Sequence, residues 1–234
     1  MNMPWFKMRG PLLDLEQLQR RDRLPAPAAP ATCSINETRL VVLDLETSGL
    51  DMRRDIVLSI GAVVIENGGI DLGQQFESTL LRPAQKISES VLIHGIAPSE
   101  LEAGEDPAEA LLDFMEFVAD SPILAFHAGF DQHMLARALK QTLGYKLRHP
   151  FLDVAELAPM LCPDNRPRQN GLDDWSNHFG LQALQRHHAS ADALVTAELA
   201  LILFSKARRQ GLDSLAALNQ RLTNWRRRQR AQLI

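Results

Sequence analysis

Leu40-Val-Val-Leu-Asp44-Leu-Glu46-Thr-Ser-Gly-Leu-Asp51 is an apolar run that ends in two carboxylates. Side chains on a strand alternate between faces, so Asp44 and Glu46 project from the same side. Carboxylates held that close repel each other unless a shared proton or a cation relieves them. The competing reading is an acidic strand end at the surface. This segment alone leaves both readings open.

Working outward, the leading signals are those of strands. Strands are expected over 39–45, 55–66 and 74–81, with Asn67-Gly68-Gly69 as a turn. Helical periodicity follows over 105–119, with Asp106-Pro107 at its start. A short apolar strand at 122–126 leads into a helix over 130–143 that ends at Gly144. A further helix is expected over 152–161, interrupted by Pro159, and a short one over 171–179, stopped by Gly180. The last long helix opens after Ser190 as its cap and stops at Gly211, and 215–230 could be helical. Antiparallel strands followed by alternating helices and strands point to an α/β mixed sheet with helices on both faces.

Residues 1–35 form an extension: an amphipathic helix over 11–23, then a proline- and alanine-rich linker. We favour a helix that packs back on the domain over a partner-docking arm. The domain proper is expected over 36–211, and 212–234 is a basic tail.

Net charge is −4, but from Lys206 onward eight Lys and Arg face one Asp, so about +7 there leaves about −11 for the rest. A basic tail suits a polyanion and an acidic body suits divalent cations. Trp225-Arg-Arg-Arg-Gln-Arg230 could hold a nucleic-acid strand by phosphate attraction and stacking. We favour the plainer reading, a solvated basic helix with Trp225 as its anchor. Two cysteines form no disulfide framework, no signal-peptide core opens the chain, and no apolar stretch is long enough to span a bilayer. A cytoplasmic location and no membrane partner are expected.

Three further positions complete a pattern. Asp131 lies in the first turn of the helix after 122–126, and His187 and Asp192 are separated by four residues. On one continuous helix the last two would point about 140° apart. With Ser190 as cap, Asp192 falls in the first turn and His187 on the preceding loop. Oxygen-only ligands suit Mg²⁺ or Mn²⁺ rather than zinc. A pair of such ions about 4 Å apart can clamp a phosphodiester, and a histidine titrating near neutrality can take a proton from water. Singly, Asp131 and Asp192 would pass as acids favouring a helix dipole, and His187 as a surface histidine.

Asp44-x-Glu46, Asp131 and His187-x4-Asp192, in that order, resemble the DEDDh 3′–5′ exonucleases of the DNA polymerase III epsilon-subunit (DnaQ-like) type. Asp44-Leu-Glu-Thr-Ser-Gly-Leu50, Ile93-His94-Gly95-Ile96 and Phe130-Asp131 support it. The resemblance implies a ribonuclease-H-like five-stranded sheet, two divalent cations, and release of nucleoside 5′-monophosphates from a 3′ end. It implies Asp44, Glu46, Asp131 and Asp192 as metal ligands and His187, rather than His188, as general base. Thr47, Leu50 and His94 would contact the terminal nucleotide; the alternatives are that Thr47 caps a turn, Leu50 belongs to the core and His94 ties down the segment 90–98. Two departures stand out: Ser48 where a second Thr is common, and Phe126-His127-Ala128 where His-Asn-Ala is common. The expected partner is the 3′ end of single-stranded DNA, with RNA as the alternative polymer; association with a polymerase and a free-standing nuclease both stay open. A non-catalytic polymerase-associated subunit is the remaining alternative, and the presence of all five catalytic positions speaks against it.

Overall fold

The structure is a computed structural model that describes residues 13–28, 32–82, 95–164, 167, 169–182 and 188–231. Its elements run α1 (Leu15–Arg23), β1 (Leu40–Thr47), β2 (Val57–Glu66), β3 (Gly69–Thr79), α2 (Pro98–Glu102), α3 (Pro107–Val118), β4 (Ile123–Ala125) and α4 (Ala128–Leu143). They continue with β5 (Phe151–Asp153), α5 (Val154–Leu161), α6 (Leu172–Phe179), α7 (Ala189–Arg209) and α8 (Leu215–Ala231).

One five-stranded sheet, ordered β3-β2-β1-β4-β5, organises the described residues. The hairpins β1–β2 and β2–β3 are antiparallel, while β4 joins β1, and β5 joins β4, in parallel. The sheet is therefore mixed, as expected. Alternation along β1 sorts the core into two layers. Leu40 and Val42 pack with Leu199, Leu203 and Phe204 of α7, and with Trp175 and Leu157. Val41, Leu43 and Leu45 pack with Leu111, Phe114 and Met115 of α3 and with Met134 and Leu135 of α4. Helices thus cover both faces.

Several boundaries differ from expectation for identifiable reasons. The third strand starts at Gly69, not at 74, because Asn67 and Gly68 both have positive φ and close a two-residue turn that pairs Gly69 with Glu66 at once. The helix expected over 152–161 is a strand and then a helix. Phe151–Asp153 adds to the edge of β4, and the Asp153 carboxylate caps α5 by accepting the Ala155 N–H at 2.9 Å. Pro159 does not interrupt α5, which runs on to Leu161. The last long helix begins at Ala189, with His188 rather than Ser190 at the cap, because the Ser190 hydroxyl donates instead to Glu77 at 2.8 Å.

The N-terminal extension packs on the domain: Leu13 and Leu24, at the two ends of α1, lie against the core, and α1 itself is held through polar groups. No residue of α1 is buried. Arg20 pairs with Glu109, Asp113 and Glu116 of α3, and the Gln17 side chain donates to Glu109 at 2.7 Å. The basic segment is held differently, because α8 buries Leu215, Leu218 and Leu222 in the core and lays the half-buried Trp225 against it.

Candidate active site

The acidic face of β1 meets the start of α7. Asp44, Glu46 and Asp192 each offer a carboxylate oxygen to a cluster whose atoms all lie within 4.8 Å of one another. Glu46 and Asp192 are buried and Asp44 is half-buried. The approach depends on Gly61, which pairs with Asp44 across the β1–β2 ladder. A Cβ at Gly61 would stand 2.1 Å from the Ser190 nitrogen and 2.2 Å from the Ala189 carbonyl carbon. The missing side chain lets the first turn of α7 sit on the sheet. Asp192, whose N–H donates to the His188 carbonyl at 2.9 Å, then reaches the β1 acids.

Asp131 arrives from the opposite layer, in the first turn of α4, and is buried. It is not a member of the three-acid cluster. Its carboxylate accepts the Leu45 N–H, so it sits at the end of β1 beside the cluster. Burial drives its pKa up, those backbone N–H groups hold back part of the rise, and Asp153 and Glu46 push it further, to about 8. Asp153 is raised too, chiefly by burial and then by Glu156. His127 turns the chain from β4 into α4 with a left-handed backbone (φ 60°), and its ring rests edge-on against Phe126 at 4.8 Å.

The loop after β1 is organised by Asp55. Its carboxylate accepts the Ser48 hydroxyl at 2.9 Å and the Asp51 N–H at 2.7 Å, and a Cβ on Gly49 would collide with it. Thr47 is buried and its hydroxyl donates to the Gly49 carbonyl at 2.8 Å, so it ties this turn. Leu50 is 85% exposed at the tip, beside the site and open to solvent. His188 lies against Glu77 at 3.2 Å and Ser190 at 3.1 Å. His94 and His187 lie outside the described residues.

Sequence reasoning missed Gly61, Asp55 and Asp153. A lone glycine inside an aliphatic strand signals close backbone approach, so Gly61 was readable. Asp55 and Asp153 look like ordinary loop and cap residues.

Three carboxylates this close, two of them buried, fit a hard divalent cation, which would remove their mutual repulsion and supply the positive charge that buried carboxylates need.

A 3-2-1-4-5 mixed sheet, with acids gathered at the end of its central strand, is a ribonuclease-H-like fold. The chain belongs to the RNase T-type exonuclease family, which it matches over residues 41–200. It is 33% identical over 188 residues to the PolC-type DNA polymerase III of Thermotoga maritima, a match covering 80% of this chain and 13% of that protein. To its Bacillus subtilis counterpart it is 28% identical over 203 residues, covering 86% and 14%. The chain thus spans about one-seventh of these relatives. Among solved structures, E. coli exonuclease I in complex with a dT13 oligonucleotide matches with a TM-score of 0.64 at 18% identity, covering 74% of this chain and 42% of that one. A zinc-bound E. coli exonuclease I–single-stranded DNA complex matches at 0.65 and 19%, with the same coverages. These structural likenesses speak to fold. No helix among the described residues is long and apolar enough to cross a membrane.

Proposed function

We propose that the chain is a metal-dependent 3′–5′ exonuclease that removes nucleoside 5′-monophosphates from the 3′ end of single-stranded DNA. The observation that carries this reading is the convergence of Asp44, Glu46 and Asp192 within 4.8 Å, in a chain that belongs to an exonuclease family. Asp44, Glu46 and Asp192 would hold divalent cations, with Asp131 closing the set from α4. Mg²⁺ or Mn²⁺, two ions when fully loaded, would supply Lewis acidity toward the phosphodiester. Asp131 must give up its proton to serve as a ligand, and its raised pKa makes that step pH-dependent.

His187 would act as general base, accepting a proton from the attacking water. Its support is the four-residue spacing to Asp192 and its place in the sequence directly before His188, the cap of α7. Thr47 would hold the turn that presents Leu50 to the terminal nucleotide, where an exposed apolar tip could lie against a base or sugar. His94 is the remaining contact proposed for that nucleotide. Support for DNA comes from the polymerase III relatives and from the oligonucleotide carried by the exonuclease I structure. A polymerase partner and a cytoplasmic location belong to the same proposal.

The test uses DNA and RNA of equal sequence, 3′-labelled and single-stranded, with Mg²⁺ and with Mn²⁺. Release of the label as 5′-mononucleotide from DNA is expected. Cleavage of RNA alone would reassign the polymer, and cleavage of neither with either metal would remove the enzyme reading.

A further inference from the structure

A cavity of about 630 Å³ opens between the start of α4 and the last turns of α8. Its lining includes Gly129 from α4, Asp153 and Glu156 from the β5–α5 junction, and Trp225, Arg226 and Arg230 from α8. Gly129 and Asp131 share the first turn of α4, so the cavity begins within about one helical pitch, ~5.4 Å, of a proposed metal ligand. α8 lies beyond residue 200, outside the region that matches the family.

The composition of α8 is specific. Between 215 and 231 the helix carries five arginines and no acid. Arg226 and Arg230, four residues apart, share the cavity face with Trp225, whereas Arg227 and Arg228 do not line it. Trp225 packs against the core and also borders the cavity, which leaves part of an aromatic surface open beside two guanidiniums. The two acids of the lining are already engaged: Asp153 accepts the Ala155 N–H, and Glu156 is paired with Arg226. Arg230 has no ion pair among the described residues and is exposed. The two guanidiniums balance the two carboxylates of this lining, so a polyanion approaching a body that carries about −11 meets here a partly aromatic surface without net negative charge.

We infer that this cavity is a subsite for the strand of single-stranded DNA upstream of the nucleotide being removed. Arg226 and Arg230 contact its phosphates and Trp225 stacks on a base. The inference rests on the exonuclease reading above and extends it to a surface supplied by the C-terminal helix. Phosphate contacts give a salt-dependent affinity, while the stacking surface accepts any base.

The experiment measures binding of fluorescein-labelled dT12 to the full chain by anisotropy, across a series of NaCl concentrations. R226Q/R230Q is compared with R227Q/R228Q, which removes the same charge from outside the cavity. The dissociation constant should rise about tenfold for R226Q/R230Q and less than about threefold for R227Q/R228Q. The slope of log affinity against log salt should shrink by about 1.4 for the former, since each lost phosphate contact on a single strand accounts for ~0.7. Because Arg226 also pairs with Glu156, R230Q alone serves as a second variant, with about half the slope change. Equal weakening by the two double variants, or none by R226Q/R230Q and R230Q, would overturn the subsite. Hydrolysis of the p-nitrophenyl ester of thymidine 5′-monophosphate by the unmodified chain reports separately on the exonuclease reading. Its absence would defeat that reading, while the anisotropy still decides whether the strand lies along α8.

Discussion

On one face of β1, Val41, Leu43 and Leu45 are buried against α3 and α4; on the other, Leu40 and Val42 give way to Asp44 and Glu46. Both faces belong to the same eight residues. The first face is apolar from end to end and contributes burial, about 1.5–3 kcal/mol for each large aliphatic side chain. The second gives up apolar packing at its last two inward positions and gathers charge there. The difference teaches where the scaffold ends and the chemistry begins. It is a point along one strand, at the level where Gly61 admits the start of α7.

The comparison is broken most severely by removing an acid. Replacing Asp44 or Asp192 by asparagine is expected to lower kcat/KM by about a thousandfold, matching the several kcal/mol that a bound Lewis acid supplies. Calorimetric titration with Mn²⁺ should show the loss of binding directly. The melting temperature of the metal-free protein should hold or rise, because like-charge repulsion is relieved. A fall of several degrees would mean that these acids serve the fold.

On the acidic face itself, Gly61→Ala pushes a methyl group into the backbone of Ser190 and Ala189. Stability should fall by about 1–3 kcal/mol, the usual cost of overpacking. Mn²⁺ affinity of the folded fraction should fall with it, because Asp192 is displaced from the β1 acids. Unchanged metal affinity would show that the glycine serves packing alone.

Leu43→Ala probes the other face. It should cost about 2–5 kcal/mol in urea unfolding and leave metal affinity of the folded protein almost unchanged. Coupled losses in both would erase the distinction between the faces.

The smallest effect is on pH dependence. Asp131 has a folded pKa raised to about 8, above the ordinary carboxylate value. In the metal-free protein its stability contribution is fully present below the unfolded pKa near 4 and is lost as pH rises through about 8. Asp131→Asn should flatten that decline in melting temperature. In the unmodified chain, apparent metal affinity should climb from pH 6 to 8 with proton release on binding. A pH-independent affinity would contradict the raised carboxyl.

Much of this was legible in the sequence, unevenly. Asp44 and Glu46 could be put on one face by alternation alone, and Asp192 in a first helical turn by spacing. The cap itself was misread, since Ser190 is drawn to Glu77 by a contact 113 residues away that local chemistry does not encode. The strand Phe151–Asp153 is three residues long and owes its conformation to the edge of β4, so its own pattern reads as the start of a helix. The leader was expected to be an amphipathic helix, yet α1 buries no residue and is held by Arg20 and three acids of α3, with Leu13 and Leu24 at its ends against the core. Non-local contacts decide each of these cases. The roles of His187 and His94 rest on spacing and resemblance.

The central claim, that the acidic face of β1 and the start of α7 form a cation site, is tested most directly by anomalous diffraction from crystals soaked in Mn²⁺. Manganese density is expected among the Asp44, Glu46 and Asp192 carboxylates, and is expected to disappear in Asp44→Asn. Well-ordered crystals with manganese bound elsewhere, or nowhere, would contradict it.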